Sequence, residues 1–199
     1  MRELILFMHM SLDGYVAASD KTTPMSRGDD GIFEKVVPEL INDSDTLLLG
    51  RVVADQLLGY WLTAETNDPV LSPGALAHAR WVANARKVIL SRADEQLPWL
   101  DSELAVARND DDIVRAISAL KQQTGKNIVV YGGVRTAQHL ARLNLIDEYQ
   151  LIVHPVALGD GGALFKNLPD RLELTLVELV ELKAGAVVLR HRPVTTKTT

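Results

Sequence analysis

Cysteine is absent from the 199-residue sequence, and its absence excludes several kinds of protein. A chain without thiols has no disulfide framework, no thiolate metal site and no cysteine nucleophile. Aromatic residues make up only 5% of the chain, which argues against a surface on which nucleic-acid bases stack. The formal net charge of −5 also argues against a broad electrostatic footprint for nucleic acid. We therefore expect no nucleic-acid partner.

Long apolar runs are absent as well. The N-terminal segment, MRELILFMHMSLDG, holds an apolar run of only about seven residues, which is too short and irregular for a signal peptide. No run approaches the roughly 20 residues that a membrane span needs. We therefore expect a cytoplasmic protein with no membrane partner. A hydrophobic fraction of 47% fits one well-cored domain over residues 1–192, followed by a disordered tail over residues 193–199.

Strand-like apolar segments alternate with helical patterns along the chain, which predicts an α/β fold with a largely parallel sheet. The strand patterns cover residues 3–10, 46–49, 87–90, 128–131 and 149–153. Two further strand patterns, over residues 172–182 and 186–191, predict an antiparallel hairpin at the sheet edge. A helix is expected to start at residue 52, but Pro69, Pro73 and a polar composition predict irregular chain over residues 59–75.

The segment over residues 127–165 is the most informative, because it places a glycine pair between a strand and a helix. Gly132 and Gly133 follow the apolar run that ends at Tyr131, and a helical pattern starts directly after them. This arrangement aims backbone N–H groups and the positive end of a helix dipole at an anion. In a small α/β protein, that anion is most often a nucleotide phosphate.

Two other predicted strands end in similar chemistry, at Gly50–Arg51 and at Ser91–Arg92. Ligands of open α/β sheets gather beyond the carboxyl ends of the parallel strands, so the three exits are expected to face one ligand. Arginine suits phosphate because its planar fork donates parallel hydrogen bonds. Neither a GxGxxG fingerprint nor a Walker loop is present, and a dinucleotide site of another architecture is required.

Several short motifs, in their order along the chain, resemble those of the dihydrofolate reductase-like superfamily. They lie at residues 11–17, 49–51, 88–92 and 131–133. The later segments, at residues 145–148 and 154–159, are similar to the branch that includes the reductase domain of the bifunctional riboflavin-biosynthesis deaminase-reductase and its stand-alone relatives. The resemblance covers nearly the whole chain. It implies a single-domain, three-layer α/β/α reductase.

The cofactor that the resemblance implies is NADPH. Its adenosine end would be held at two strand exits, by Gly50, Arg51, Ser91 and Arg92, with one of the last three recognising the 2′-phosphate. Its pyrophosphate would lie against the glycine pair and the helical turn after it, that is, against Gly132, Gly133, Val134, Arg135 and Thr136. Its nicotinamide would lie near the first strand and the loop after it, close to His9, Val16 and Ala17. Position 52 departs from the pattern, because it is Val where dihydrofolate reductases usually carry a polar residue.

Hydride transfer to a C=N or C=O bond needs a proton donor beside the acceptor atom. Dihydrofolate reductases use a carboxylate early in the first helix, and matching Phe33 to that helix brings Asp29 or Asp30 nearest the position. The same two residues also fit a solvated loop with a helix N-cap.

The substrate pocket is less defined by the sequence. Tyr60 and Trp61 form either one wall for a flat heterocycle or part of the core. His154 borders the substrate pocket or a subunit contact, or it is a satisfied core histidine, and no second ligand at metal-site spacing accompanies it. No metal site is predicted.

The leading hypothesis is an NADPH-dependent reductase that transfers a hydride to a small heterocycle, pterin- or pyrimidine-like. One alternative is the 5-amino-6-(5-phosphoribosylamino)uracil reductase of riboflavin biosynthesis, although the loop over residues 19–31 offers few basic residues for a ribose phosphate. Another is a non-catalytic nucleotide- or ligand-binding protein on the same fold. A homodimer is expected, because the apolar strands near residues 149–158 and 174–180 exceed what one sheet needs for its own core.

Overall fold

A computed structural model describes residues 1–25, 31–99 and 101–194, and in these residues the chain forms an eight-stranded central sheet. Six consecutive strands of this sheet are parallel to one another. The last two strands of the chain extend one edge of the sheet, and each pairs with its neighbour in antiparallel orientation. The strands are β1 (Leu4–Ser11), β3 (Ser44–Gly50), β4 (Arg86–Ser91), β5 (Ser102–Val106), β6 (Asn127–Tyr131), β7 (Glu148–His154), β9 (Leu174–Glu181) and β10 (Val187–Pro193). Their spatial order is β5-β4-β3-β6-β1-β7-β10-β9. A second, two-stranded sheet pairs β2 (Tyr15–Ala17) with β8 (Gly162–Ala163).

Helices cover both faces of the central sheet. One face packs against α1 (Ile32–Lys35), α2 (Val37–Asn42), α3 (Arg51–Asn67) and α4 (Pro73–Asn84). The other face packs against α5 (Asp110–Gln122) and α6 (Val134–Arg142). The predicted three-layer α/β/α architecture, with a mostly parallel sheet and an antiparallel terminal hairpin, is confirmed.

The first strand shows why its sequence barely alternates between apolar and polar residues. Leu4 and Leu6 point into the layer that contains α5 and α6, and Ile5 and Phe7 point into the opposite layer. All four side chains are buried, because helices cover both sides of this interior strand.

The expectation of irregular chain over residues 59–75 is wrong. The third helix continues through Gly59 to Asn67, and the next helix begins at Pro73, where the side chain of Ser72 provides the N-cap. A glycine inside a helix costs only about 1 kcal/mol relative to alanine, and burial of Leu58 and Ala64 offsets that cost. Proline is tolerated at the first helical position, where it marks the start of a helix.

The sequence patterns also missed β5, a short and mostly half-buried edge strand. At the other end of the sheet, β10 runs beside the edge strand β9 to Pro193, and the Val194 amide donates to the Glu173 carbonyl. Residues 195–199 lie outside the described residues. Among the described helices, none is both long and apolar enough to cross a membrane.

Candidate functional site

Three strand exits line one cavity of about 370 Å³ at the carboxyl ends of the parallel strands. The strands β4, β3 and β6 are direct neighbours, so their exits meet as predicted. The residues that follow each strand line the cavity. The lining residues are Gly50, Arg51, Val52, Val53, Leu90, Ser91, Arg92, Ala107, Ile113, Gly133, Val134, Arg135, Thr136 and His139.

The exits of β3 and β6 touch each other directly. A Cβ atom on Gly50 would lie 2.2 Å from Oγ1 of Thr136, so any larger residue would require the Thr136 side chain to move. Gly133 has a φ of +70°, and a Cβ there would lie 3.0 Å from a methyl group of Val53. These glycines keep a backbone-lined surface open where the sheet gives way to helices.

Two helices begin at this cavity with free backbone donors. The N-caps of α3 and α6 are Gly50 and Gly133, and neither helix start receives a side-chain cap from the described residues. In contrast, Ser72 caps α4 and Asn109 forms a capping box on α5. The first N–H groups of a helix lack intrahelical partners, so the starts of α3 and α6 offer donors and positive dipole ends to an anion in the cavity.

The Arg51 side chain is held in place by three neighbours. Its guanidinium group lies 5.0 Å from the ring centre of Trp99, with Nη1 2.6 Å from Asp55 Oδ1 and Nε 3.2 Å from Glu95 Oε1. Yet Nε and Nη1 are shielded from solvent and have no aligned hydrogen-bond acceptor in the described part of the chain. The charge of Arg51 is therefore compensated by Asp55 and Glu95, and Nε, which has the longer of the two contacts, is the donor that a better-aligned acceptor could take.

Some lining residues carried no functional signal in the sequence. Val53, Ala107 and Ile113 contribute to the apolar part of the cavity; Val53 and Ile113 lie in predicted helices, and Ala107 lies in no predicted element. His139 follows from the helical spacing of α6, four residues after Arg135, whose carbonyl lies 2.8 Å from the His139 Nδ1 atom. Helical periodicity could have identified His139 as a neighbour of the glycine pair.

The loop that was predicted to lie near a nicotinamide is also adjacent to the start of α6. Ala17 pairs with Gly162 in the small sheet, and a Cβ on Gly162 would lie 2.9 Å from Val134. Val16 packs against the core beside α5 and α6. The chain thus brings Val16 and Ala17 next to the helix that follows the glycine pair, although neither residue lines the cavity itself.

Asp13 has a structural role in the same region. Its carboxylate accepts hydrogen bonds from the Ser11 hydroxyl and from the amides of Leu158 and Gly159. These hydrogen bonds lower the pKa of Asp13, which therefore fastens the first-strand turn to the glycine-rich turn after β7 as an anion.

His9 and His154 form a buried pair at the carboxyl ends of β1 and β7. The His9 Nδ1 and His154 Nε2 atoms are 2.8 Å apart, and the two rings stack with their centres 5.1 Å apart. Burial, together with the neighbouring imidazole, lowers the pKa of His9 to about 4. At neutral pH the His9 side chain is neutral and hydrogen-bonded to His154.

Trp61 belongs to an aromatic cluster centred on His78. The His78 ring centre lies 4.3 Å from that of Trp61, and its Nε2 atom lies 2.9 Å from the Tyr131 hydroxyl. Burial lowers the pKa of His78 to about 4 and raises that of Tyr131. Tyr131 in turn contacts Phe7, which contacts His9, so this cluster and the histidine pair are joined by a continuous row of rings.

The remaining predicted substrate residues are placed differently. Tyr60 is 47% exposed on α3 and donates its hydroxyl to Asp68 Oδ2 over 3.0 Å. The two candidate proton donors, Asp29 and Asp30, lie outside the described residues. Their role, and the role of Tyr60, Trp61 and His154 as pocket walls, stay predictions.

A second cavity, of about 220 Å³, lies at the opposite end of the sheet. Its centre is Glu148, which is 2% exposed and whose two carboxylate oxygens pair with Arg190 and Arg192. Each arginine has further carboxylate partners: Arg190 pairs with Glu39 and Glu178, and Arg192 pairs with Glu3. These carboxylates raise the pKa of both arginines above its ordinary value.

The fold defines a dihydrofolate reductase-like protein. A structure of dihydrofolate reductase from Enterococcus faecalis in complex with NADP(H) aligns over 96% of both chains, with a TM-score of 0.53 at 12% identity. A crystal structure of a putative riboflavin biosynthesis protein from Shewanella sp. PV-4 is more similar. It aligns over 96% of this chain and 99% of its own, with a TM-score of 0.70 at 21% identity.

The sequence gives the family. Residues 2–188 match the RibD C-terminal domain, and the chain belongs to that family. Among curated proteins, the uncharacterized protein YyaP of Bacillus subtilis (strain 168) is 28% identical over 186 residues, which cover 94% of this chain and 92% of the relative. The resemblance to this branch of the superfamily, inferred from the motifs, is confirmed.

Proposed function

We propose that the protein is an NADPH-dependent oxidoreductase that transfers a hydride to a small heterocyclic substrate, pterin- or pyrimidine-like. The observation that carries the proposal is the meeting of three strand exits at one cavity. Membership of the RibD C-terminal domain family and the NADP(H) complex of a dihydrofolate reductase with the same fold support it. A cytoplasmic location remains a prediction.

The residues present fit the cofactor. The uncapped starts of α3 and α6 suit a pyrophosphate, and Gly50 and Gly133 leave room for its close approach to the backbone. The Arg51 guanidinium, whose Nε is not aligned with Glu95 as a hydrogen-bond donor, suits a 2′-phosphate, with Ser91 and Arg92 beside it in the lining. When bound, NADPH would supply the hydride, and the chain would supply orientation and the exclusion of water.

Calorimetry with NADPH and NADH tests the cofactor part of the proposal. We expect NADPH to bind, and to bind more tightly than NADH. Binding of neither nucleotide would contradict the proposal. Consumption of NADPH in the presence of a panel of pterins, pyrimidines, quinones and aldehydes then separates an enzyme from a protein that only binds the nucleotide.

A second candidate is reduction of a ribosylaminopyrimidine, as in riboflavin biosynthesis. It is favoured by the family and by a bifunctional deaminase and 5-amino-6-(5-phosphoribosylamino)uracil reductase from Thermotoga maritima, which aligns with a TM-score of 0.64 at 16% identity. The alignment covers 97% of this chain and 57% of that protein. Turnover of the phosphoribosylated pyrimidine, compared with the same base lacking the phosphate, would distinguish the two candidates.

We also propose a homodimer, with β9 as the contact surface. The other apolar segment considered for this role, near residues 149–158, contains β7, which is an interior strand and is used by the protein's own core. In contrast, β9 lies at the sheet edge and exposes half of Leu176, Val177 and Leu179. A long apolar edge strand is a template for pairing with another chain. Light scattering of the native chain and of Leu179→Lys tests this: we expect a dimer that the substitution weakens.

A further inference from the structure

A single carboxylate oxygen occupies the position between two of the predicted 2′-phosphate residues. Glu95 Oε1 accepts a hydrogen bond from the Ser91 hydroxyl at 3.1 Å and lies 3.2 Å from Arg51 Nε. Ser91 ends β4 and Arg51 follows β3, so the two groups come from neighbouring strands and converge on one anionic oxygen. The chain therefore already holds an anion where two donors meet.

The contacts around this oxygen show that the anion is replaceable. Glu95 is in a segment without helix or strand, and its side chain is 35% exposed. Its contact with Arg51 is an ion pair of 3.2 Å in which the Nε–H is not aligned with Oε1 as a hydrogen bond. A better-aligned anionic oxygen at this position could replace the carboxylate.

Arg51 itself is not free to follow Glu95 away from the site. Trp99 lies over its guanidinium group, and Asp55, one helical turn along α3, holds Nη1. Displacement of Glu95 would thus leave Arg51 in place and facing the cavity. On binding of another anion, the Glu95 carboxylate would move and the Arg51 guanidinium would keep its position.

We propose that Glu95 is an internal anion that competes with the 2′-phosphate of the cofactor and sets the preference between NADPH and NADH. The proposal rests on the dinucleotide site proposed above. A bound NADPH must displace Glu95 from Ser91 and Arg51, and its 2′-phosphate is then repelled by the displaced carboxylate. NADH has a 2′-hydroxyl in place of the phosphate, and an acidic side chain can accept a hydrogen bond from that hydroxyl. Glu95 therefore narrows the advantage of NADPH that Arg51 and Ser91 create.

The test uses calorimetry on the full chain and its Glu95→Gln variant, with NADPH, NADH, adenosine 2′-monophosphate and adenosine 5′-monophosphate. We expect Glu95→Gln to raise the ratio of NADPH to NADH affinity about tenfold, mainly through tighter NADPH binding. The affinity for adenosine 2′-monophosphate should rise by a similar factor, and the affinity for adenosine 5′-monophosphate should not change. Glu65→Gln is the matched control, because it removes the same charge from a surface pair with Arg80.

The outcomes separate this inference from the proposed function. If Glu95→Gln raises the affinity for adenosine 2′-monophosphate while NADPH binds to neither protein, the competing role of Glu95 is supported and the proposed reductase function is wrong. If NADPH and NADH bind the native chain and Glu95→Gln changes both alike, or changes neither, the competing role of Glu95 is wrong. An equal shift in Glu65→Gln would assign the effect to net charge and would also overturn it.

Discussion

At the amino ends of the parallel strands, Arg190 and Arg192 close around the buried Glu148, whereas at the carboxyl ends Arg51 stands beside carboxylates with two donors unaligned. Both regions are cavities lined by arginine and carboxylate side chains. In the first, both oxygens of Glu148 accept hydrogen bonds from Arg190 and Arg192. In the second, the starts of α3 and α6 lack side-chain caps, and Arg51 contacts Asp55 and Glu95 without aligned hydrogen bonds.

The difference distinguishes a cavity that stabilises the fold from one that can bind a ligand. Breaking the pairing of a buried carboxylate is costly, so the arginines that pair with Glu148 are not available to another anion. A cavity with unused donors and glycine-lined walls gains by binding one. The positive charge of an arginine is therefore a poor guide to function unless the alignment of its donors is known.

The largest expected effect comes from closing the glycine-lined wall of the carboxyl-end cavity. In Gly50→Ala, the new Cβ would lie 2.2 Å from Thr136 Oγ1 and would force Thr136, in the first turn of α6, to move. We expect NADPH affinity, measured by calorimetry, to fall by about 100-fold or more, close to 3 kcal/mol. Gly59→Ala is the matched control, because a Cβ there meets nothing within 4 Å; it should keep the affinity.

The outcome of Gly50→Ala is interpretable even if folding suffers. Adding Thr136→Ala removes the hydroxyl that the new Cβ would strike, so the double variant should recover the thermal stability of the native chain. Unchanged NADPH affinity in folded Gly50→Ala would show that the nucleotide does not approach this wall.

The amino-end cavity should respond in stability and not in binding. Glu148→Gln leaves Arg190 and Arg192 with only their more exposed partners, and we expect the free energy of unfolding to fall by roughly 2–3 kcal/mol. Glu178→Gln, which removes an exposed partner of Arg190, should cost less than about 1 kcal/mol. Denaturant titration gives both values. A loss of NADPH affinity in folded Glu148→Gln would contradict the expectation that the amino-end cavity affects stability and not binding.

Lowering the pH should destabilise the fold through the buried His78. His78 has a pKa of about 4 in the folded state and an ordinary value of 6.5, so the unfolded chain binds more protons between these values. Stability that is present above pH 6.5 is therefore lost as the pH falls towards 4. Between pH 7 and 5 this loss amounts to about 2 kcal/mol for His78.

The substitution His78→Phe isolates this contribution. The dependence of unfolding free energy on pH, measured by denaturant titration at pH 7 and 5, should become shallower by about 2 kcal/mol. Tyr131→Phe removes the hydroxyl beside His78 but keeps the buried imidazole, and should keep the native slope. An unchanged slope in His78→Phe would assign the acid sensitivity elsewhere.

The smallest expected effect separates the two nucleotides. Arg51→Ala and Arg92→Ala should each weaken NADPH about tenfold more than NADH, because only NADPH carries the 2′-phosphate. Arg80→Ala, at a surface ion pair, should change neither affinity. Equal losses of both nucleotides in the two cavity variants would remove Arg51 and Arg92 from recognition of the 2′-phosphate.

Much of the fold could be predicted from local patterns. The apolar runs of β1, β3, β4, β6 and β7, and the terminal hairpin, follow from periodicity and from turn residues. The continuation of α3 past Gly59 could not, because packing of Leu58 and Ala64 outweighed a weak local preference. The edge strand β5 was missed because it is short and only half-buried, with little apolar signal of its own.

Local sequence alone predicts the chemistry at the strand exits, namely one glycine pair, a further single glycine, arginines and a serine after apolar runs, because turn chemistry is a local property. Which of these groups meet depends on the tertiary structure. The order β4-β3-β6 brings together exits that are about 40 residues apart in the chain, and it places Glu95 between Ser91 and Arg51. It also pairs His9 with His154 across β1 and β7. Such meetings depend on strand order and register, which are set by the burial of both sheet faces and by no single segment.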